Sequence, residues 1–300
     1  MMKNVKLLSE VSIASLLTIG GIAAVNNVNS PVNPVASQTV QAATTEQTTI
    51  KLPAGYTRQR ILAVNNNRIS ARDKQALVQA SMNGMKQNTF YDNKASDKQE
   101  MVNTTNLTWA QKLEINRYAL SLINSARAQM GKQPWVLNKS AMAFADRVAT
   151  EYHNNNKSVW DPNHYVAGIT RAAVASGLKN AGQVYEDEAG LPITSQFRGT
   201  YRTMYALKEQ VYFNVKQMLF GGFYGTAAQY GLAGRYTEWE HAGDLLGLRS
   251  LKGYNAPTKM FGLSFSDMKN NHQRVSVHFM GVASRYVANR RVFNVNANIR

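Results

Sequence analysis

Five histidines, 18 acidic side chains and no cysteine are what this 300-residue chain has for building a reactive site. Without cysteine there is no thiolate nucleophile, thiolate zinc site or disulfide. Proton transfer by imidazole and carboxylate, or a cation held between them, is the chemistry that remains. The acids are unevenly placed, since Glu186, Asp187, Glu188, Glu238, Glu240 and Asp244 account for six of the 18. Such clusters either make a cleft more negative than its surroundings, which suits cations and amines, or are solvated loop carboxylates balancing local arginines; the second is the simpler expectation. Ser264, Ser266 and Ser276 fall on or beside predicted strands with no nucleophile-elbow context, so ordinary strand serines are expected there. His278 alternates in register with Ser276 and Met280, which puts the three on one strand face, either lining a cleft or on the sheet surface. His153 and His272 stand among asparagines and are expected at helix ends or in exposed loops. Trp160 and Trp239 would serve equally as an aromatic platform for sugar or peptide and as core material.

The elements that would position these groups are written from Leu107 onward. Thr108-Trp109-Ala110-Gln111 is a capping box that opens a helix with Leu113, Tyr118, Leu122, Ile123, Ala126 and Met130 on its apolar side, closed by Gly131. A second helix follows Asn138, with Met142, Phe144, Ala145, Val148, Ala149 and Tyr152 directed inward. A short third covers Ile169 to Ser176, and a fourth covers Thr203 to Phe220 before Gly221-Gly222. Met260 to Phe265 and Val275 to Val282 alternate as strands around a turn containing Asn270-Asn271. Helices first and strands late predict an α+β fold, with helices layered on a small antiparallel sheet.

The same residues resemble the CAP superfamily, the fold of cysteine-rich secretory proteins and their bacterial relatives. Glu114-Ile115-Asn116 through Leu122 to Arg127, closed by Gly131 and Pro134, is similar to its first helix. His164 stands at the place of its first cleft histidine, Tyr185-Glu186 at its glutamate segment, and Trp239-Glu240-His241-Ala242 with Leu245-Leu246-Gly247 at its second histidine motif. Trp160, Met218-Leu219-Phe220 and Leu248-Arg249-Ser250 extend the likeness to the surface-exclusion domain of lactobacilli and enterococci. The likeness covers about 107–284 and departs at Asp187-Glu188, where an asparagine and an apolar residue are usual. The resemblance implies an α-β-α sandwich and a cleft holding His164, Glu186 and His241, with Trp239 in the second histidine motif; His278 joins the candidate cleft residues by its strand register. Two imidazoles and a carboxylate could share protons or hold a divalent cation, so these three are also the candidate metal ligands; a hydrogen-bonded polar cluster with no metal or other cofactor is the simpler expectation.

The flanks set the expected location. Lys3 and Lys6, the apolar run Val11 to Val25 and Val40-Gln41-Ala42 predict a secretory signal over residues 1–42, cleaved after Ala42. Residues 43–106 are polar, with one amphipathic helix over Asp73 to Met85, and are expected to form a helical spacer or stalk. With 34 Lys and Arg against 18 Asp and Glu, a net charge of +16 predicts attraction to polyanions. After Asp267 no acid remains, while Lys269, Arg274, Arg285, Arg290, Arg291 and Arg300 follow, so residues 285–300 are expected to end the chain as a basic patch or arm. For an exported protein of a Gram-positive cell, the matching partners are teichoic acids and other wall polymers, with surface proteins of contacting cells a further expectation. The sequence thus points to a secreted, non-covalently wall-associated protein that binds at the cell surface, of the surface-exclusion or adhesion type. The rival is a hydrolase acting on peptide or wall material through His164, Glu186 and His241.

Overall fold

The capping box works as written. In the computed structural model, Thr108 accepts a hydrogen bond from the Gln111 amide at its hydroxyl, and the Gln111 side chain accepts one back from the Thr108 amide. It opens the long central helix α4 (Trp109–Gln129). Thr108→Ala removes one of the two reciprocal bonds and is expected to cost about 1 kcal/mol, read as a lower urea midpoint with an unchanged slope.

The structure describes residues 45–191, 198–222, 231–250 and 254–300. The expected signal over 1–42 lies outside them. Ahead of α4 come α1 (Arg58–Asn65), α2 (Ala71–Gln87), α3 (Ala95–Gln99) and β1 (Met101–Asn103). After it come β2 (Val136–Leu137), α5 (Lys139–Asn154), α6 (Val166–Ala175), β3 (Glu186–Ala189), β4 (Tyr201–Thr203), α7 (Met204–Phe220), α8 (Glu240–Leu245), β5 (Met260–Met268) and β6 (Asn271–Val282). The main sheet runs β2-β5-β6-β3, antiparallel except for the β2–β5 edge, and β1 pairs with β4 in a separate antiparallel ribbon.

The period-two alternation of β5 and β6 decides the layering. Phe261, Leu263, Phe265, Val275, Val277 and Phe279 pack with α4, α7 and α8 in one buried cluster, while Met260, Met280 and Val282 pack with α5 and α6 in another. Helices therefore cover both faces, giving the α-β-α sandwich. Gly262 lets α5 lie directly on β5, because a Cβ there would collide with the Ala141 backbone.

The structure bears on two expectations about the flanks. Residues 45–106 do not form a separate spacer but belong to the same compact unit as the rest of the described chain. The reason is apolar burial: Ile50, Tyr56, Ile61, Leu77, Ala80 and Met85 join the core of α4, α7 and α8. Nor is 285–300 a free arm. Phe293 is buried, the Lys139 amide donates to the Ala297 carbonyl, and the Ile299 amide donates to the Leu137 carbonyl, so the segment is strapped along β2 and α5. Among the described residues no helix is long and apolar enough to cross a membrane.

Candidate functional site

Alternation also builds the site. On β3, Glu186 and Glu188 point one way and Asp187 the other. Glu186 and Glu188 stand opposite Met280 and His278 of β6, on the face covered by α5 and α6. Of the acids expected as solvated loop carboxylates, Glu186, Asp187 and Glu188 are thus buried in a sheet, whereas Glu240 is exposed and paired with Arg249. A buried charge is tolerated only with partners, and Glu186 has three. Its Oε2 accepts from His164 Nδ1 and from the Tyr152 hydroxyl, both at 2.8 Å, and its Oε1 accepts from His278 Nδ1 at 2.7 Å. Tyr152 comes from α5, His164 from the turn before α6 and His278 from β6, so three elements converge on one carboxylate. Burial would raise the Glu186 carboxyl, but the two imidazole hydrogen bonds outweigh it and hold the group well below the usual carboxylate range. Reciprocally, burial works against charge on His164 but its bond to Glu186 prevails and raises it.

Glu188 is the opposite case. Burial, with the neighbouring Glu186 charge behind it, pushes its carboxyl up to about 7, and its Oε1 is buried without a hydrogen-bond partner. On the other side of β3, burial followed by the charge of Asp244 raises Asp187 well above its ordinary value, and Asp244 is itself ion-paired to the buried Lys259.

His241 reaches this neighbourhood from α8, its ring centre 6.4 Å from that of His164. Its Nδ1, however, lies 2.9 Å from Glu238 Oε2, so it is positioned by Glu238 and not by Glu186. The cavity between the two histidines measures about 40 Å³ and is lined by Gln183, Glu186, Asp187, Glu240, Arg249 and Tyr254 besides them. That is room for a water or an ion, not for a sugar ring or a peptide.

Among the described residues, convergent ligand atoms belong to His164, Glu186 and Glu188, all within 4.8 Å of one another, and to Glu46, Asp92 and Asp97. Glu188, not His241, completes the candidate metal set. One imidazole, two carboxylates and the orphaned Glu188 Oε1 fit a small divalent cation, which would take the place of the proton Glu188 otherwise keeps.

Trp239 is not a cleft wall. It is 2% exposed, and its Nε1 donates to the Ser81 hydroxyl. Trp160 is partly exposed with Arg274 over its ring, so the two tryptophans form no joint platform. His278 is fully buried and so is not on the sheet surface. Its Nε2 lies 2.8 Å from Ser266 Oγ, which gives the order Ser266, His278, Glu186 that nucleophilic hydrolases use. The sequence named Tyr152, Glu188 and Ser266 but did not show that they meet Glu186, His164 and His278. The Glu186-x-Glu188 spacing held the signal for one of them, because two residues apart on a strand means one face.

Of the basic residues, Lys269, Arg285, Arg290, Arg291 and Arg300 are exposed, and Arg274 is half-buried. The segment that carries Arg285, Arg290, Arg291 and Arg300 is fixed to the body of the fold by the Leu178–Val287 and Asn138–Asn298 bridges, while Lys269 lies in the β5–β6 turn and Arg274 on β6.

No family model and no curated protein matches this sequence. Among solved structures, one described as "CAP domain of Enterococcal PrgA" superposes with a TM-score of 0.58 at 18% identity, covering 85% of this chain and 91% of that one. The fold is CAP-like. The superfamily resemblance carried by the helix and histidine motifs is met at the level of architecture, with residues 45–106 included in the unit that folds.

Proposed function

We propose that the protein is exported and acts by binding at the cell surface, in surface exclusion or adhesion, and that its basic residues keep it on the wall. The observation that carries this is the set of exposed Arg285, Arg290, Arg291 and Arg300, displayed on a segment pinned to a CAP-like body, with Lys269 exposed in the β5–β6 turn. Rigidly presented arginines offer planar donor forks to phosphates at little further entropic cost, which suits teichoic acids and similar wall polymers. The CAP-like likeness adds the expectation of a partner on a contacting cell.

A hydrolase is the second reading, favoured by the Ser266–His278–Glu186 order and by the His164–Glu186 pair beside His241. The 40 Å³ cavity argues against a peptide or glycan reaching that pair.

The test incubates the purified protein, a His164→Ala/His241→Ala variant and an Arg285→Gln/Arg290→Gln/Arg291→Gln variant with washed Gram-positive walls across a salt series. Retention and released fragments are both assayed. The expected result is salt-sensitive retention of the parent and the histidine variant, weaker retention of the arginine variant, and no fragments. Salt-insensitive retention, or equal retention of all three, overturns the electrostatic proposal. Fragments released by the parent alone make the cleft an active site.

A further inference from the structure

A second and larger cavity, about 710 Å³, opens between α4, α5, β5 and the β1–β4 ribbon. It shares no lining residue with the His164 cavity and none with the basic tail. Its volume is that of a small-molecule site.

Its chemistry is specific. At the rim, Tyr201 is 71% exposed and stands directly opposite Asn103 in the ribbon, so an aromatic face and an amide lie side by side. Deeper in, the nearly buried carboxylate of Asp267 accepts from His153 Nδ1 at 2.6 Å and from His272 Nδ1 with its other oxygen. Because a carboxylate only accepts, both imidazoles carry hydrogen on Nδ1, and in the neutral ring Nε2 is then the acceptor. Lys112 is held by Asp146 at 2.7 Å, and Asp146 also accepts from the Ser264 hydroxyl at 2.8 Å. The groove's lining thus carries one lysine, Lys112, and two carboxylates, Asp146 and Asp267, and lacks the excess of cations that a phosphate ligand needs.

We propose that this groove binds a neutral oligosaccharide. The exposed Tyr201 ring offers a flat apolar surface to the C–H face of a pyranose, while the Asn103 amide and the fixed imidazoles of His153 and His272 pair with hydroxyl and acetamido groups.

The test titrates the purified protein with tetra-N-acetylchitotetraose, maltotetraose and inorganic phosphate by calorimetry, and repeats each titration on Tyr201→Ala, His272→Gln and His164→Ala. Melting temperatures confirm that the variants are folded, which the exposure of the Tyr201 and His272 side chains favours. Binding of either tetrasaccharide, weakened about tenfold by Tyr201→Ala and by less in His272→Gln, and unchanged in His164→Ala, is the expected result. Which of the two binds tells an acetamido-bearing wall glycan from a plain glucan. The proposal is overturned if neither tetrasaccharide binds, if phosphate binds in preference, or if Tyr201→Ala binds as well as the parent. Because the basic tail lies outside the groove, wall retention can fail while saccharide binding stands, and the reverse.

Discussion

Lys208→Met is expected to lower the unfolding free energy by about 3–5 kcal/mol at neutral pH, among the largest effects of any single change outside the hydrophobic core. Lys208 sits on α7 with its side chain 1% exposed, and its ammonium donates to Glu46 at 2.8 Å, to Glu114 at 2.6 Å and to Asp97. Methionine keeps the packing volume and removes the charge, leaving Asp97 and Glu46 in a poorly hydrated site with Asp92 close by. Burial would raise the Asp97 and Glu46 carboxyls, but the hydrogen bonds from Lys208 outweigh it and lower both. Carboxyls depressed on folding stabilise the native state above their unfolded values, and that contribution is lost as pH falls through the folded ones. The gap between parent and variant is therefore full at pH 7 and shrinks below about pH 4. Urea unfolding at pH 7 and pH 3.5 measures it; a gap at pH 7 smaller than about 1 kcal/mol would show that the carboxylates find other partners when the ammonium is gone.

That cluster also explains why residues 45–106 read as a spacer. The segment is polar because several of its charges answer groups far away in the sequence: Glu46 and Lys208 are 162 residues apart. Local periodicity detects an amphipathic helix, and it found α2 from Leu77 and Ala80, but it cannot register an ion pair closed across the fold. Where apolar spacing alone decides, the sequence was sufficient. The capping box of α4, the caps of α5 and α7 and the alternation of β5 and β6 all lie where the residue types place them. Strand β3 failed for the reason the spacer did. Three consecutive acids do not look like a buried strand until His164, Tyr152 and His278 on one side, and Asp244 with Lys259 on the other, are brought to it. The family motif implied a cleft holding His164, Glu186 and His241, and in the structure His164 and Glu186 are hydrogen-bonded to each other. It could not show that His241 is held by Glu238, or that Trp239 two residues earlier serves the core.

Glu188→Gln is expected to stabilise the protein at pH 8 and to leave it nearly unchanged at pH 4. Folding raises the Glu188 carboxyl from its ordinary 4.5 to about 7, through burial and then the neighbouring Glu186 charge. A group raised on folding contributes stability that is fully present below its unfolded value and is lost as pH rises through the folded one. The window is therefore pH 4.5 to 7. Below it, Glu188 is protonated in both states and glutamine mimics it; above it, the native parent holds a second carboxylate against Glu186, at a cost of at most about 3 kcal/mol. The variant escapes that cost, so its melting temperature at pH 8 should exceed the parent's by several degrees in chelator-treated buffer. Equal melting temperatures at both pH values would mean that Glu188 ionises freely in the folded protein. The same pair of proteins separates the two occupants open to this site. If His164, Glu186 and Glu188 hold a divalent cation, adding zinc at pH 8 raises the parent's melting temperature and not the variant's, because glutamine offers no anionic oxygen to replace the lost ligand. If the polar cluster only stiffens the sheet edge, zinc moves neither, and the proton on Glu188 is the whole of its compensation for sharing that face with Glu186.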